Sequence, residues 1–240
     1  MALGPFYVAQ RLTEGGNEVR GTALLMRHGE TDWNAEGRVM GRQPVELNAK
    51  GRAQVEAAAH LAETLKPNLI VTSPLVRARQ SAEILAASLG GNVPVVEEPE
   101  IAEVLYGRWE GMTYEELIED PHYLEYRKSP IEHPTPGGET IPQVQARGVA
   151  AIGRAITANA NQRVLFVSHG DIIRTVLCHF MGLELRYFHR IRVDNATFSA
   201  LQIAGKFAEV KFLNLLPDPG RAFVSPFSTP KTVPARPVPK

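Results

Sequence analysis

Two histidines of the sequence each follow an apolar run and each precede a glycine. The run LLM leads into Arg27 and His28, and the run VLFVS leads into His169. An imidazole titrates near pH 6.5, so one ring can attack phosphorus while another, protonated, stabilises the phosphoryl oxygens. A glycine behind each ring lets the backbone approach a ligand closely. This repeated pattern favours phosphoryl chemistry over a purely structural role.

Two arginines and one glutamate complete the candidate site. Arg27 precedes the first histidine, and Arg77 falls in the first turn of a predicted helix, where the helix dipole adds positive charge. The planar guanidinium suits phosphoryl oxygens. A proton donor is also needed, and Glu103 lies in the segment EVLYGRWEG, whose tryptophan we expect to shield it from water. We expect Glu110 and Glu115 to be solvated surface residues.

Strands and helices alternate along the chain and predict the scaffold that positions these residues. The segments TALLM, NLIVT, VPVVEE and RVLFVS have the composition of buried strands, and helical patterns separate them. ATFSALQIAG and FAEVKFLNL predict a closing antiparallel pair. The alternation predicts an α/β sandwich with a mostly parallel sheet. Ligands bind at the carboxyl ends of the strands in such sheets, where both histidines fall.

Residues with capping preference mark the predicted helix starts. Asn48 is the expected N-cap of the helix NAKGRAQVEAAAHLAETL. Ser73 is expected to cap the next helix, with Pro74 at its first position. Thr140 and Gln143 form a predicted capping box before IPQVQARGVAAIGRAI.

Length and charge restrict the class of protein. The 240 residues suit one domain, and 26 Lys and Arg balance 26 Asp and Glu, which gives no general attraction to nucleic acid or a membrane. The single cysteine, Cys178, excludes an internal disulfide framework. It lies in a helical apolar stretch and lacks an arginine six positions on, so we expect core packing and no cysteine-phosphatase chemistry. No secretory signal is recognised, and the prediction is a cytoplasmic protein.

The ends of the chain differ from its centre. Residues 1–20 show no periodicity and are predicted to be a loose N-terminal arm, and residues 21–216 are predicted to form the folded domain. Residues 217–240 contain seven prolines. Proline lacks the donor that sheets and helix interiors need, so this tail is predicted to be disordered.

Five motifs together resemble the histidine phosphatase superfamily, the phosphoglycerate mutase-like family, from about Thr22 to Leu213. They are RHGET with its downstream Asn34, SPLVRA, EVLYGRWEG, PGGET and SHGDIIR. The resemblance implies a three-layer α/β/α sandwich with a mostly parallel central sheet. It also implies a phosphohistidine intermediate, with no metal and no cofactor.

The same resemblance assigns roles to individual residues. It makes His28 the nucleophile, and it makes Glu103 the acid that protonates the leaving oxygen and then activates water. The implied phosphate pocket consists of Arg27, Arg77 and His169, with Asn34 and the Gly170 amide as secondary contacts. The chain departs from the family at Asp171, where a small or apolar residue is common.

The resemblance leaves the reaction open between phosphatase and mutase. Mutases of the family carry a longer, arginine-rich insertion, whereas here about 33 residues separate Glu103 from Gly137 and EYRKSPIEHPTP contributes few cations. This favours a phosphomonoesterase over a mutase. Sugar phosphates, phosphoglycerate, phosphoserine and nucleotide-loop precursors all remain candidate substrates. The predicted partner is a small phosphorylated metabolite, with a homodimer left open and no nucleic acid or membrane.

Two hypotheses of other classes also remain. One is a metal-dependent phosphoesterase with His28, His169 and Asp171 as ligands, which the neighbouring arginines disfavour because they repel a cation. The other is a catalytically silent phosphate-binding protein, which would usually lack a histidine or the acid.

Overall fold

The computed structural model describes residues 19–205 and 207–216 of the chain. The predicted tail and nearly all of the predicted N-terminal arm lie outside the described residues, so both stay predictions. No helix in the described ranges combines the length and the apolar character that crossing a membrane requires.

A six-stranded sheet forms the centre of the fold. Its strands, in chain order, are β1 Arg20–Arg27, β2 Leu69–Thr72, β3 Val95–Glu97, β4 Arg163–Ser168, β5 Phe198–Ala204 and β6 Phe207–Leu215. The spatial order is β3-β2-β4-β1-β5-β6, in which the first four strands are parallel. β5 runs antiparallel to β1 and β6 antiparallel to β5, which confirms the predicted closing pair.

Seven α-helices of four or more residues connect the strands of the described ranges. They are α1 Asp32–Ala35, α2 Ala49–Leu65, α3 Val76–Ser88, α4 Tyr114–Leu117, α5 Pro121–Lys128, α6 Ile141–Ala158 and α7 Gly170–Met181. Short 3-10 helices cover Pro99–Ile101, Gly107–Trp109 and Leu185–Arg190.

Alternation along the strands produces two separate hydrophobic cores. Successive side chains of a strand point to opposite faces of the sheet. Leu24 and Met26 of β1 therefore pack in the core that α2 and α3 cover, whereas Ala23 and Leu25 pack in the core that α6 and α7 cover. The predicted three-layer α/β/α sandwich is confirmed.

Two of the three predicted helix caps are confirmed. The Asn48 side chain accepts a hydrogen bond from the Gly51 amide at 2.7 Å, and Thr140 and Gln143 form the reciprocal capping box. The prediction for Ser73 is wrong, because α3 begins at Val76 and Leu75 occupies the N-cap without a side-chain bond. The Ser73 amide still donates to a carbonyl of β4, so this residue continues the strand and its hydroxyl faces the site.

The chain between β3 and α6 forms a wall over the carboxyl ends of the strands. Trp109 is buried at its centre, and its ring contacts Tyr126 edge-on with centroids 5.2 Å apart. The Trp109 indole N–H donates to the Asp120 carboxylate at 2.9 Å, which fixes the start of α5 on the same wall.

Candidate active site

The two histidines leave neighbouring parallel strands side by side. Arg27 at the end of β1 pairs with Ser168 at the end of β4. The His28 amide donates to the Ser168 carbonyl at 2.9 Å, so the pairing continues one residue beyond the strands. The ring centroids of His28 and His169 are 5.1 Å apart, and both side chains are buried.

The imidazole of His28 is oriented by its own backbone. Its Nδ1 lies 2.6 Å from the Gly29 carbonyl oxygen, a contact that requires the proton on Nδ1 and leaves Nε2 unprotonated, where it accepts a hydrogen bond from Arg77 Nε. Burial and the nearby Arg77 and Arg27 hold the pKa of His28 well below its ordinary value. The ring is therefore neutral near pH 7, and Nε2 can act as a nucleophile.

Glycine is needed behind His28 because α2 approaches closely. A Cβ at Gly29 would lie 2.4 Å from the Gly51 carbonyl oxygen in the first turn of α2. Gly29 has no Cβ, and this lets α2 pack directly beside His28.

Arg77 is fully buried and is fixed by backbone carbonyls. Its Nη1 donates to the Gln43 carbonyl at 3.0 Å and its Nη2 to the Gly41 carbonyl at 2.7 Å, while its Nε lies 3.3 Å from His28 Nε2. Burial lowers the pKa of Arg77 to about 10, which still leaves it a cation at neutral pH. Its charge is therefore located at the nucleophilic nitrogen.

His169 is held by Ser73 across 96 positions of sequence. Its Nε2 lies 2.7 Å from the Ser73 hydroxyl oxygen, and its buried Nδ1 has no hydrogen-bond partner among residues 19–205 and 207–216. We expected one protonated imidazole, but burial and Arg77 lower the pKa of His169 well below its ordinary value. The ring of His169 is therefore neutral in this structure. The negative charge of a bound phosphoryl group would raise its pKa again, against the effects of burial and of Arg77.

Arg27 carries a second buried polar atom without a partner. Its Nη1 donates to the Val193 carbonyl at 2.9 Å, but its Nε has no partner in the described part of the chain. A Cβ at Gly170 would lie 3.6 Å from that Nε, so the backbone at the start of α7 faces it. A buried donor without a partner costs free energy, which a bound oxygen would recover.

Glu103 lies between two backbone amides at the edge of the pocket. Its Oε1 accepts from the Val104 amide at 3.0 Å, and its Oε2 lies 3.4 Å from the Asp171 amide nitrogen. Burial raises the pKa of Glu103, and the neighbouring Asp171 carboxylate raises it further. Glu103 can therefore hold a proton at a pH where an exposed glutamate would not.

Asn34 lies on α1 and lines the cavity described below. Its Oδ1 accepts from the Thr31 amide at 3.1 Å and from the Asn195 amide group at 3.3 Å. Only its amide nitrogen remains to donate to an anion. Asn195 also donates to the His28 carbonyl at 3.0 Å, a contact that no sequence signal indicated.

Asp171 belongs to a buried network that the sequence did not reveal. Its carboxylate accepts from the Tyr106 hydroxyl and from Arg174 Nη1. Arg174 keeps the pKa of Asp171 below its ordinary value despite burial. The carboxylate is therefore charged, and it lies beside the candidate acid.

The two further glutamates differ in their surroundings. Glu115 is exposed as expected, whereas Glu110 is half-buried and less solvated than expected. The Glu110 carboxylate accepts from the Arg42 amide at 3.1 Å, the Tyr106 amide at 3.1 Å and the Gln43 side chain at 2.8 Å. Cys178 is buried in α7, which confirms the expected core packing.

A cavity of about 580 Å³ lies beside these residues, although His28, Arg77 and His169 are not part of its lining. Arg27, Asn34, Glu103 and Gly170 line its inner side, and aromatic residues of the wall line its outer side. Within the described ranges, no group of three His, Cys, Asp or Glu side chains could hold a metal ion.

Comparison with known proteins extends over nearly all the described residues. The family model of the histidine phosphatase superfamily, branch 1, matches residues 23–216. An uncharacterized phosphatase, PhoE, of Bacillus subtilis is 31% identical over 191 residues, covering 80% of this chain and 93% of that protein. Phosphoserine phosphatase 1 of Hydrogenobacter thermophilus is 28% identical over 212 residues, covering 84% and 95%.

Solved structures have the same fold. A putative alpha-ribazole-5'-P phosphatase of Escherichia coli superposes with a TM-score of 0.74 at 27% identity, covering 80% of this chain and 95% of that one. A mutant phosphoserine phosphatase of Entamoeba histolytica, in complex with phosphoserine, gives 0.74 at 26% identity, covering 81% and 96%. The chain therefore belongs to the histidine phosphatase superfamily, branch 1.

Proposed function

We propose that the protein is a metal-independent phosphomonoesterase that works through a phosphohistidine intermediate. One observation carries the proposal: two buried polar atoms without partners in the described ranges, Arg27 Nε and His169 Nδ1, accompany the neutral ring of His28. A phosphoryl group offers the oxygens that these atoms lack, next to a nitrogen able to attack phosphorus.

In the first step His28 Nε2 attacks phosphorus, and the bond between phosphorus and the ester oxygen breaks. Arg27, Arg77 and His169 stabilise the negative charge of the transferring group. Glu103 gives its proton to the departing oxygen, which leaves as an alcohol. His28 then carries the phosphoryl group on Nε2.

In the second step water attacks the phosphohistidine. Glu103, now ionised, takes a proton from the water, and the bond from nitrogen to phosphorus breaks. Phosphate leaves, and both His28 and the protonated Glu103 are restored. The same side chain thus acts first as acid and then as base, which its raised pKa favours.

A mutase is the second candidate, since some similar proteins bear the name probable phosphoglycerate mutase. The exposed lining of the cavity favours the phosphatase: Tyr114 and Arg127 line the cavity and are exposed, so the cavity beside the pocket is open to water on this side. A mutase must keep water from the phosphohistidine, whereas a phosphatase needs it there.

Trapping of the intermediate tests the mechanism. After brief mixing with ³²P-labelled ester and quenching in alkali, we expect labelled protein from the parent and none from His28→Ala. His60→Ala is the matched control, because His60 lies on α2 with its side chain 81% exposed. Substantial turnover by purified His28→Ala would refute the covalent mechanism, and release of phosphate from no ester would refute the phosphatase proposal.

A further inference from the structure

The cavity beside the phosphate pocket contains recognition groups that a phosphoryl group does not use. We propose that it binds a leaving alcohol built as a hydroxylated ring, with Asp171, Arg174 and Tyr126 as its specificity residues. The inference rests on the proposed phosphatase function and adds the class of substrate.

The size of the cavity is the first argument. Its volume of about 580 Å³ falls within the range of about 300–1,000 Å³ that is common for pockets holding drug-sized ligands. A phosphoryl group with a three-carbon chain would fill only a small part. A leaving group of one ring or more fits this space better.

The aromatic wall is the second argument. Trp109, Tyr123 and Tyr126 all line the cavity, and the rings of Tyr123 and Tyr126 are nearly parallel, at 20° with centroids 6.4 Å apart. Trp109 packs edge-on against both. Aromatic side chains offer large, rigid apolar surfaces, and such surfaces suit the C–H faces of a ring.

Paired polar groups beside this wall are the third argument. Asp171 Oδ1 and Arg174 Nη1 lie 2.5 Å apart, so a carboxylate acceptor stands directly beside a guanidinium donor. Of two neighbouring hydroxyls on a ligand, one can donate a hydrogen bond to the carboxylate of Asp171 and the other can accept one from the guanidinium of Arg174. Because the two charges neutralise each other, the pair suits uncharged hydroxyls better than a carboxylate.

The hydroxyl of Tyr126 is the fourth argument. Tyr126 is 4% exposed, and its hydroxyl lies near that of Tyr106 but makes no hydrogen bond of ordinary geometry in the described part of the chain. A buried hydroxyl without a partner is costly. A hydroxyl of the leaving group would supply the missing bond.

Three esters of primary alcohols separate the contributions of ring and hydroxyls. Glucose 6-phosphate has both, cyclohexylmethyl phosphate has only the ring, and glycerol 3-phosphate has only the hydroxyls. Their leaving alcohols are chemically alike, so ratios of kcat/KM cancel the contribution of the acid. We expect the kcat/KM of glucose 6-phosphate to exceed that of each of the other two esters at least tenfold.

Two variants test the specificity residues. Tyr126→Phe should reduce the preference for glucose 6-phosphate about three- to tenfold, the effect of one neutral hydrogen bond. Asp171→Asn should reduce it about tenfold or more, because a charged acceptor is lost. Tyr187→Phe makes the same chemical change outside the cavity lining and should leave the ratios unchanged.

The results separate this proposal from the one it rests on. Phosphate release with kcat/KM ratios below tenfold between glucose 6-phosphate and the two other esters, or a preference for 3-phosphoglycerate, would overturn the ring proposal alone. Preserved ratios in both variants would overturn the assigned residues. Release from none of the esters tried would contradict the phosphatase function itself.

Discussion

Glu110 provides a test of how the loop before α2 supports the phosphate pocket. Its carboxylate binds two backbone amides and one side chain, those of Arg42, Tyr106 and Gln43. Arg77 binds the carbonyls of Gly41 and Gln43 in the same loop, so Glu110 acts on the pocket through this loop. We expect Glu110→Ala to free the loop and displace the guanidinium of Arg77.

The magnitude follows from the three hydrogen bonds that are lost. A net hydrogen bond to a charged group contributes about 1.5–3 kcal/mol when it is buried. Because Glu110 is only half-buried, water compensates for part of the three lost hydrogen bonds. We therefore expect the free energy of unfolding to fall by about 2–4 kcal/mol. A shift of about 1 Å at a catalytic group can reduce the rate by 10²-fold, so kcat/KM should fall by about 10–100-fold.

Matched variants make this prediction specific. Glu110→Gln keeps the oxygen that accepts from both backbone amides and should recover most of the stability and activity. Glu115→Ala removes an exposed carboxylate nearby and should change unfolding by less than about 0.5 kcal/mol. Urea unfolding and steady-state kinetics with an alkyl and a nitrophenyl ester measure both effects. Parent-like values for Glu110→Ala would refute the reasoning, and a loss confined to the alkyl ester would indicate that Glu110 is the acid.

Three further predictions concern the chemistry. Glu103→Gln should slow phosphoenzyme formation about 10²–10⁴-fold with an alkyl ester and clearly less with nitrophenyl phosphate, whose leaving phenolate needs the proton less; equal losses in the burst rate would exclude Glu103 as the acid. The Asp171 charge raises the pKa of Glu103, so Asp171→Asn should move the alkaline limb of kcat/KM to lower pH, and an unmoved or raised limb in a pH titration would contradict the coupling. EDTA should leave the rate unchanged, because the site is cationic; a full loss that a divalent ion restores would favour the metal-dependent alternative.

The sequence alone predicted the six strands, the four long helices α2, α3, α6 and α7, and the proximity of the two histidines, but not the short helices α4 and α5. Apolar runs and caps are local signals, so the strands ending at Arg27 and Ser168 could be recognised from their own residues. Since the carboxyl ends of parallel strands meet at one edge, the proximity of His28 and His169 followed from the predicted topology. The family motifs then added expected roles for Glu103 and Arg77.

Only the tertiary structure decided which side chains surround that pocket. Ser73 had the local signal of a helix cap, but the β2–β4 pairing extends through its amide and turns its hydroxyl toward His169. Glu110 was expected on the surface because glutamate side chains usually lie there. The role of Asp171 depends on its contacts with Tyr106 and Arg174, which the sequence does not indicate. These contacts join loops far apart in sequence, and loop paths leave no periodicity in the sequence. They depend on how the wall between β3 and α6 packs on the sheet, which is a property of the whole fold.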